Sequence, residues 1–202
     1  MEAKDTYKTI VSTTDSILYK ERNSKFYGLA FPVKNEDDIK QHLEATKNQY
    51  HSARHWCYAY QIGTEQMVFR VNDDGEPSNS AGMPIYGQIQ SFGITNVLII
   101  VVRYFGGIKL GVGGLIQAYK TAAQLTLESA EIIEKTIDTE FVITFEYKDM
   151  NKVMRIIKER QLKIIHQQLE LSCAITISVR KSLVKDIFKI FNATYGVTIK
   201  TP

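Results

Sequence analysis

Five glycines fall within nine residues of this chain, Gly106, Gly107, Gly111, Gly113 and Gly114, and cations Arg103, Lys109 and Lys120 stand around them. A cluster this dense costs backbone entropy, so it needs a reason. One reason is chemical: bare backbone amides at the mouth of a helix can converge on an anion such as a phosphate. The other is steric, two layers crossing too closely for side chains. A second group is acidic. Asp73, Asp74 and Glu76 lie in the run NDDGEP, where carboxylates could hold magnesium or act as a base, or simply build a turn.

Letter-by-letter tests exclude the standard nucleotide motifs. Gly106 and Gly111 have Walker A spacing, but Val112 and Gly113 stand where Lys and then Ser or Thr are required. Gly111 and Gly113 begin a dinucleotide fingerprint, yet Ile116 replaces its third glycine. No cofactor is expected. His51 and His55 lie four apart, but Ser52 follows the first, so the zinc-hydrolase motif is absent and no metal site is expected. Cys57, between Trp56 and Tyr58 in a strand, reads as a buried inert thiol. Ser78 and Ser80 lack a nucleophile elbow. Tyr104 and Phe105, beside Arg103, could stack on bases or cap the end of a core strand. No complete catalytic set is visible, so an enzyme is the lesser expectation, its form being action on a phosphorylated small molecule or nucleotide through the glycine loop.

The elements around these residues are legible. Val97–Val102 is an apolar, mostly β-branched run suited to a buried strand. It leads into the glycine turn and a long helix expected over 113–134, with Ile116, Tyr119, Ala123, Leu127 and Ala130 on its buried face. Upstream, strands are expected at 6–12, 16–20 and 25–33, and a helix capped by Asn35 runs to about Tyr50. A hairpin over 55–62 and 66–71 and a short helix over 83–92 follow. The boundary is placed at 130–138, with the long helix running into a second domain. From Ile137 the order is β-α-β-β-α-β, the ferredoxin-like pattern, with helices started by Asp149 and Ser182.

Composition sets outer limits. Hydrophobic residues make up 44% of the 202 and charged residues 23%, close to globular averages. A spanning helix needs about 20 apolar residues, and no run approaches that, so no membrane role is expected. The first ten residues lack the apolar core of a secretory signal, and two distant cysteines suit a reducing, cytoplasmic setting. The formal charge is +3; residues 1–136 hold 14 basic against 15 acidic side chains and residues 137–202 hold 11 against 7. A basic C-terminal third suits a polyanion such as RNA, with Lys152, Arg155, Lys158 and Arg160 on one helix; a solvated face is the alternative. The long strand SCAITISV has no aromatic residues for stacking, against an RNA-recognition motif of the RRM type.

Three stretches, HSARHWCYAY, NDDGEPSNSAGMPI and VVRYFGGIKLGVGGLIQAYKTAA, closely resemble the IMPACT/YigZ family. The resemblance implies an α+β chain of two domains. Residues 1–136 would form an Impact-type N-terminal α/β sandwich like ribosomal-protein and GHMP-kinase second domains. Residues 137–202 would form a ferredoxin-like unit similar to the last domain of elongation factor G. It also implies a link to translation: eukaryotic relatives bind a ribosome-associated activator of a stress kinase, and RNA or ribosome binding is the usual proposal for bacterial ones. A partner in translation control, protein or RNA, is therefore expected. The chain departs from the family's usual DGEPSGTAG at Asn79 and Ser80, and has Met83 and Gln117 where basic residues are common, removing two charges near the glycine loop.

Overall fold

The structure is a computed structural model and describes residues 5–201. Two compact units divide them: Tyr7–Lys135 is one, and the residues from Thr136 onward, with Asp5 and Thr6, are the other.

The larger unit is built on an antiparallel five-stranded sheet in the order β2-β3-β6-β4-β5, formed by β2 (Ile17–Glu21), β3 (Ser24–Pro32), β4 (His55–Ile62), β5 (Val68–Asn72) and β6 (Val97–Tyr104). Central β6 is buried on both faces, which explains its continuous apolar run: side chains alternate across a strand, so two cores need every position. Val97, Ile99 and Val101 pack with α2 (Gly82–Phe92) and α3 (Gly111–Glu128). Leu98, Ile100 and Val102 pack with Ile39 of α1 (Glu36–Gln49). Helix α1 begins as its sequence dictates, Asn35 Oδ1 accepting the Asp38 amide at 2.9 Å, while Asp38 Oδ2 accepts that of Lys34 at 2.8 Å.

Helix α3 departs from the expectation at both ends. It starts at Gly111 and stops at Glu128, not 134, and residues 132–136 form β7 (Ile132–Thr136), paired with β1 (Thr6–Ile10). The apolar residues after 128 kept a helical spacing, but Ile132 and Ile133 are β-branched and a partner strand was available, so the ladder won. The interdomain stretch thus holds a strand rather than a continued helix. The buried face of α3 is Leu115, Ala118, Tyr119, Ala122, Ala123, Thr126 and Leu127; Ile116 points outward. Gly28 of β3 permits this contact, since a Cβ there would lie 2.0 Å from Thr126 Oγ1.

In the second unit, β8 (Asp138–Glu146), α4 (Met150–Glu159), β9 (Lys163–Leu169), β10 (Ser172–Arg180), α5 (Val184–Asn192) and β11 (Val197–Lys200) follow the expected β-α-β-β-α-β order. The sheet runs β11-β8-β10-β9, all antiparallel. One core joins Phe141, Ile143, Ile175 and Ile177 to Val153 and Ile157 of α4 and Ile187 and Phe191 of α5. Both helices are entered through 3-10 turns, and neither Asp149 nor Ser182 caps by its side chain. Asp149 is instead buried, its Oδ1 accepting Lys152 Nζ at 2.7 Å.

Candidate functional site

The acidic turn and the end of β6 meet, but in the interior. Arg103 continues the alternation of Val97, Ile99 and Val101 and so points into the α2–α3 core. There its Nη1 donates to Glu76 Oε1 at 2.6 Å, with the two side chains 7% and 4% exposed. Tyr119 of α3 donates to the same oxygen at 2.8 Å. Cys57 Sγ lies 3.3 Å from Tyr119 Oη and 3.0 Å from the Asp73 carbonyl, so its one proton serves either. Burial pushes the Cys57 thiol and the Tyr119 phenol well above their ordinary ranges, and nearby Glu76 adds to both shifts. Four residues from β4, β6, α3 and the acidic turn thereby tie the sheet to its helices.

The other two carboxylates serve backbone amides. Asp73 Oδ1 accepts from Ala81 and Gly82 at 2.9 and 2.8 Å, and Oδ2 from Asn79 at 2.8 Å, which anchors the start of α2. Asp74 Oδ2 accepts the Trp56 amide at 2.7 Å. The Asp74 carbonyl lies 2.8 Å from His55 Nδ1, and since a carbonyl only accepts, Nδ1 carries a proton. Asp73, Asp74 and Glu76 are therefore placed as structural braces, and among the described residues no three potential ligands converge on a metal position. Asn79 sits at φ +61, a left-handed conformation that suits glycine or asparagine, so its departure from the family's glycine keeps the turn. Ser80 donates to the Pro77 carbonyl at 2.6 Å.

The glycine turn divides into two parts. Gly106 is steric: a Cβ would fall 2.1 Å from the Asn23 carbonyl carbon and 2.4 Å from the Ser24 amide nitrogen, and its own N–H donates to Ser24 Oγ at 3.2 Å. Gly107, Gly111 and Gly113 face open space, the first two at φ +86 and +72. Leu110 precedes α3 with no side-chain cap, so the first-turn amides from Gly111 to Gly114 lack a capping side chain. Lys109 is exposed beside them, as are Phe105, Ile108 and Val112.

Of the cations expected here, Lys109 alone stands at the open turn. Arg103 is turned inward onto Glu76, and Lys120, nine residues along α3 or roughly 13 Å, lines a separate groove with Gln88 and Gln124. Sequence reading missed the tip of the β2–β3 hairpin, where Arg22 and Asn23 take left-handed φ of 43° and 66° and bring Lys25 next to the turn. The signal was present as Arg-Asn between two alternating runs. Lys152, Arg155 and Lys158 on α4 and Arg160 just after its end are all exposed; Lys152 faces Asp149 and Arg155 Nε lies 3.7 Å from Glu159.

No helix among the described residues is long and apolar enough to cross a membrane. A solved structure described as the crystal structure of an hypothetical protein matches with a TM-score of 0.74 at 24% identity, over 99% of this chain and 98% of that one, and shows the two-part α+β fold. The family model described as the Impact N-terminal domain matches residues 22–127. The Bacillus subtilis (strain 168) IMPACT family member YvyE is 35% identical over 136 residues, 66% of this chain and 63% of that protein, so the chain spans less than two thirds of it. The Escherichia coli (strain K12) member YigZ is 29% identical over 159 residues, 77% of each chain. A Thermus thermophilus member is 34% identical over 142 residues, 70% of this chain and 76% of that one. Residues 22–127 hold the tip of the β2–β3 hairpin, the acidic turn, the buried Arg103–Glu76 pair and the glycine turn together, and the chain belongs to the IMPACT family.

Proposed function

We propose that this protein is a non-catalytic, cytoplasmic RNA-binding component of translational control, acting on the ribosome or on free RNA. The observation that carries this reading is the β6–α3 turn: an uncapped helix start, three glycines open to solvent and Lys109 beside them. Unmet amides and the positive end of a helix favour negative charge, and glycines let a phosphate approach the backbone. The exposed cations of α4, on the basic C-terminal unit, add sequence-independent attraction. The alternative of an enzyme acting on a phosphorylated small molecule has no comparable support, because Asp73 and Asp74 hold backbone amides and Glu76 holds Arg103.

The test is binding of a single-stranded RNA across a salt series. Affinity should fall as salt rises, and Lys109→Ala or Lys158→Ala should each reduce the log–log slope by about 0.7, the share of one phosphate contact on a single strand. Absence of binding at low salt sinks the reading. Co-purification of a protein partner that survives nuclease would move it to an adaptor without RNA.

A further inference from the structure

Beside the glycine turn, on the α1 face of the sheet, lies a cleft of about 360 Å³ lined by Asn23, Lys25, Tyr27, Tyr50, Tyr104 and Phe105. Strand register assembles it. Lys25 and Tyr27 are two apart on β3 and share a face, and Lys25 pairs directly with Tyr104 at the end of β6. Tyr50, at the end of α1, packs against Tyr27 with ring centres 5.4 Å apart, and Tyr104 meets Tyr27 edge-on at 5.8 Å and 83°. The Tyr50 hydroxyl donates to Ser16 Oγ at 2.8 Å. Phe105, half exposed, stands next to docked Gly106, which fixes it against the hairpin tip carrying Asn23.

The ring-bearing walls of this cleft are all aromatic, with an amide and an exposed ammonium at the rim. An aliphatic ligand has no use for four rings, whereas a flat, polar-edged heterocycle stacks on them and meets hydroxyls, an amide and a cation at its edges. The volume, at the low end of ligand pockets, suits one such ring system. We propose that this cleft receives a single unpaired nucleobase stacked on Phe105 or Tyr104, with the attached phosphate on Lys25. The proposal rests on the RNA reading and adds to it: Phe105 joins the base pocket to the glycine turn, so one nucleotide's base and the neighbouring phosphates would be held by adjacent residues.

The experiment compares a single-stranded 12-mer of adenylate, an RNA duplex of equal length and adenosine monophosphate, using tyrosine fluorescence and filter retention. Phe105→Leu keeps an apolar side chain and removes the ring, Phe105→Tyr restores it, and Lys25→Ala changes an exposed residue that bears on no core. Phe105→Leu should weaken single-strand binding about tenfold, leave duplex binding unchanged and be rescued by Phe105→Tyr. Equal single-strand affinity for the Phe105→Leu and wild-type proteins, with unchanged RNA binding, overturns the pocket while leaving the RNA reading intact. Binding of the mononucleotide but of neither RNA, lost in Phe105→Leu, keeps the pocket, assigns it to a free nucleotide and overturns the RNA reading. Binding of none of the three overturns both.

Discussion

Replacing Arg103 with methionine would remove one member of an ion pair that solvent barely reaches, since its side chain and that of Glu76 are 7% and 4% exposed. Exposed pairs are worth about 0–1 kcal/mol, but removing one partner of a buried pair costs about 3–5 kcal/mol because it strands the other charge. In Arg103→Met, Glu76 retains only the Tyr119 hydroxyl at 2.8 Å, a neutral donor. In Glu76→Gln, the guanidinium keeps its contacts with the Phe26 and Phe105 rings, 5.6 and 5.5 Å from Cζ, and loses its counter-charge. Each single change should therefore cost about 3–5 kcal/mol, or roughly 6–20 °C in Tm at about 2–4 °C per kcal/mol. The double variant should cost less than the sum by about 1–3 kcal/mol, since no lone charge remains. Urea unfolding followed by fluorescence of Trp56, the chain's single tryptophan and a residue of the same unit, measures all four proteins. Single costs below about 1 kcal/mol, or strict additivity, would refute the assignment of this pair as a buried brace.

Glycine substitutions separate the two parts of the turn. Gly106→Ala drives a Cβ into the Asn23–Ser24 backbone and should destabilise, whereas Gly113→Ala, in a helix with nothing within 4 Å, should stabilise by about 0.4–1 kcal/mol; thermal melts of both decide. Asp73→Ala frees three amides at the start of α2 and should cost about 2 kcal/mol, the upper end of cap losses, readable by the same denaturation. The Cys57 thiol ordinarily titrates near 9.0; held protonated in the fold, it makes stability fall as pH rises above 9.0, because only the unfolded chain releases the proton there. Cys57→Ala should remove the part of the decline that begins near 9.0 and leave the part above 10.0 that Tyr119, also held protonated, produces. In the second unit, hydrogen bonds from Arg180 lower the Asp5 carboxyl from 3.8 to about 2, so its contribution is complete above 3.8 and fades as pH falls toward 2. A carboxyl-carbon NMR titration with a midpoint near 3.8 would contradict it.

Local rules carried most of the scaffold. The run Val97–Val102 announced a buried strand, Asn35 before three acids announced the start of α1, and the succession of strand and helix signals from Ile137 to Lys200 announced the β-α-β-β-α-β order. Each is a matter of neighbours in sequence, where periodicity and capping act. The RYFGGIKLGVGG and NDDGEP runs, with the flanking stretches, likewise marked the family.

What folding alone decided was the use of each charged group. Arg103 was expected at a surface anion site, yet strand parity turns it inward, and its partner Glu76 lies 27 positions away. The acidic turn resembled a metal site because carboxylates look alike in a sequence; which of them meets an amide, an arginine or water depends on chain segments brought together only in three dimensions. The same holds for β7, which needed β1 from the far end of its unit to become a strand, and for the aromatic cleft, whose residues come from β3 and the hairpin tip before it, the residue after α1, and the end of β6 with the residue that follows. Sequence fixes what a side chain can offer, and long-range packing fixes what it is offered, because desolvation and pairing are properties of the assembled environment.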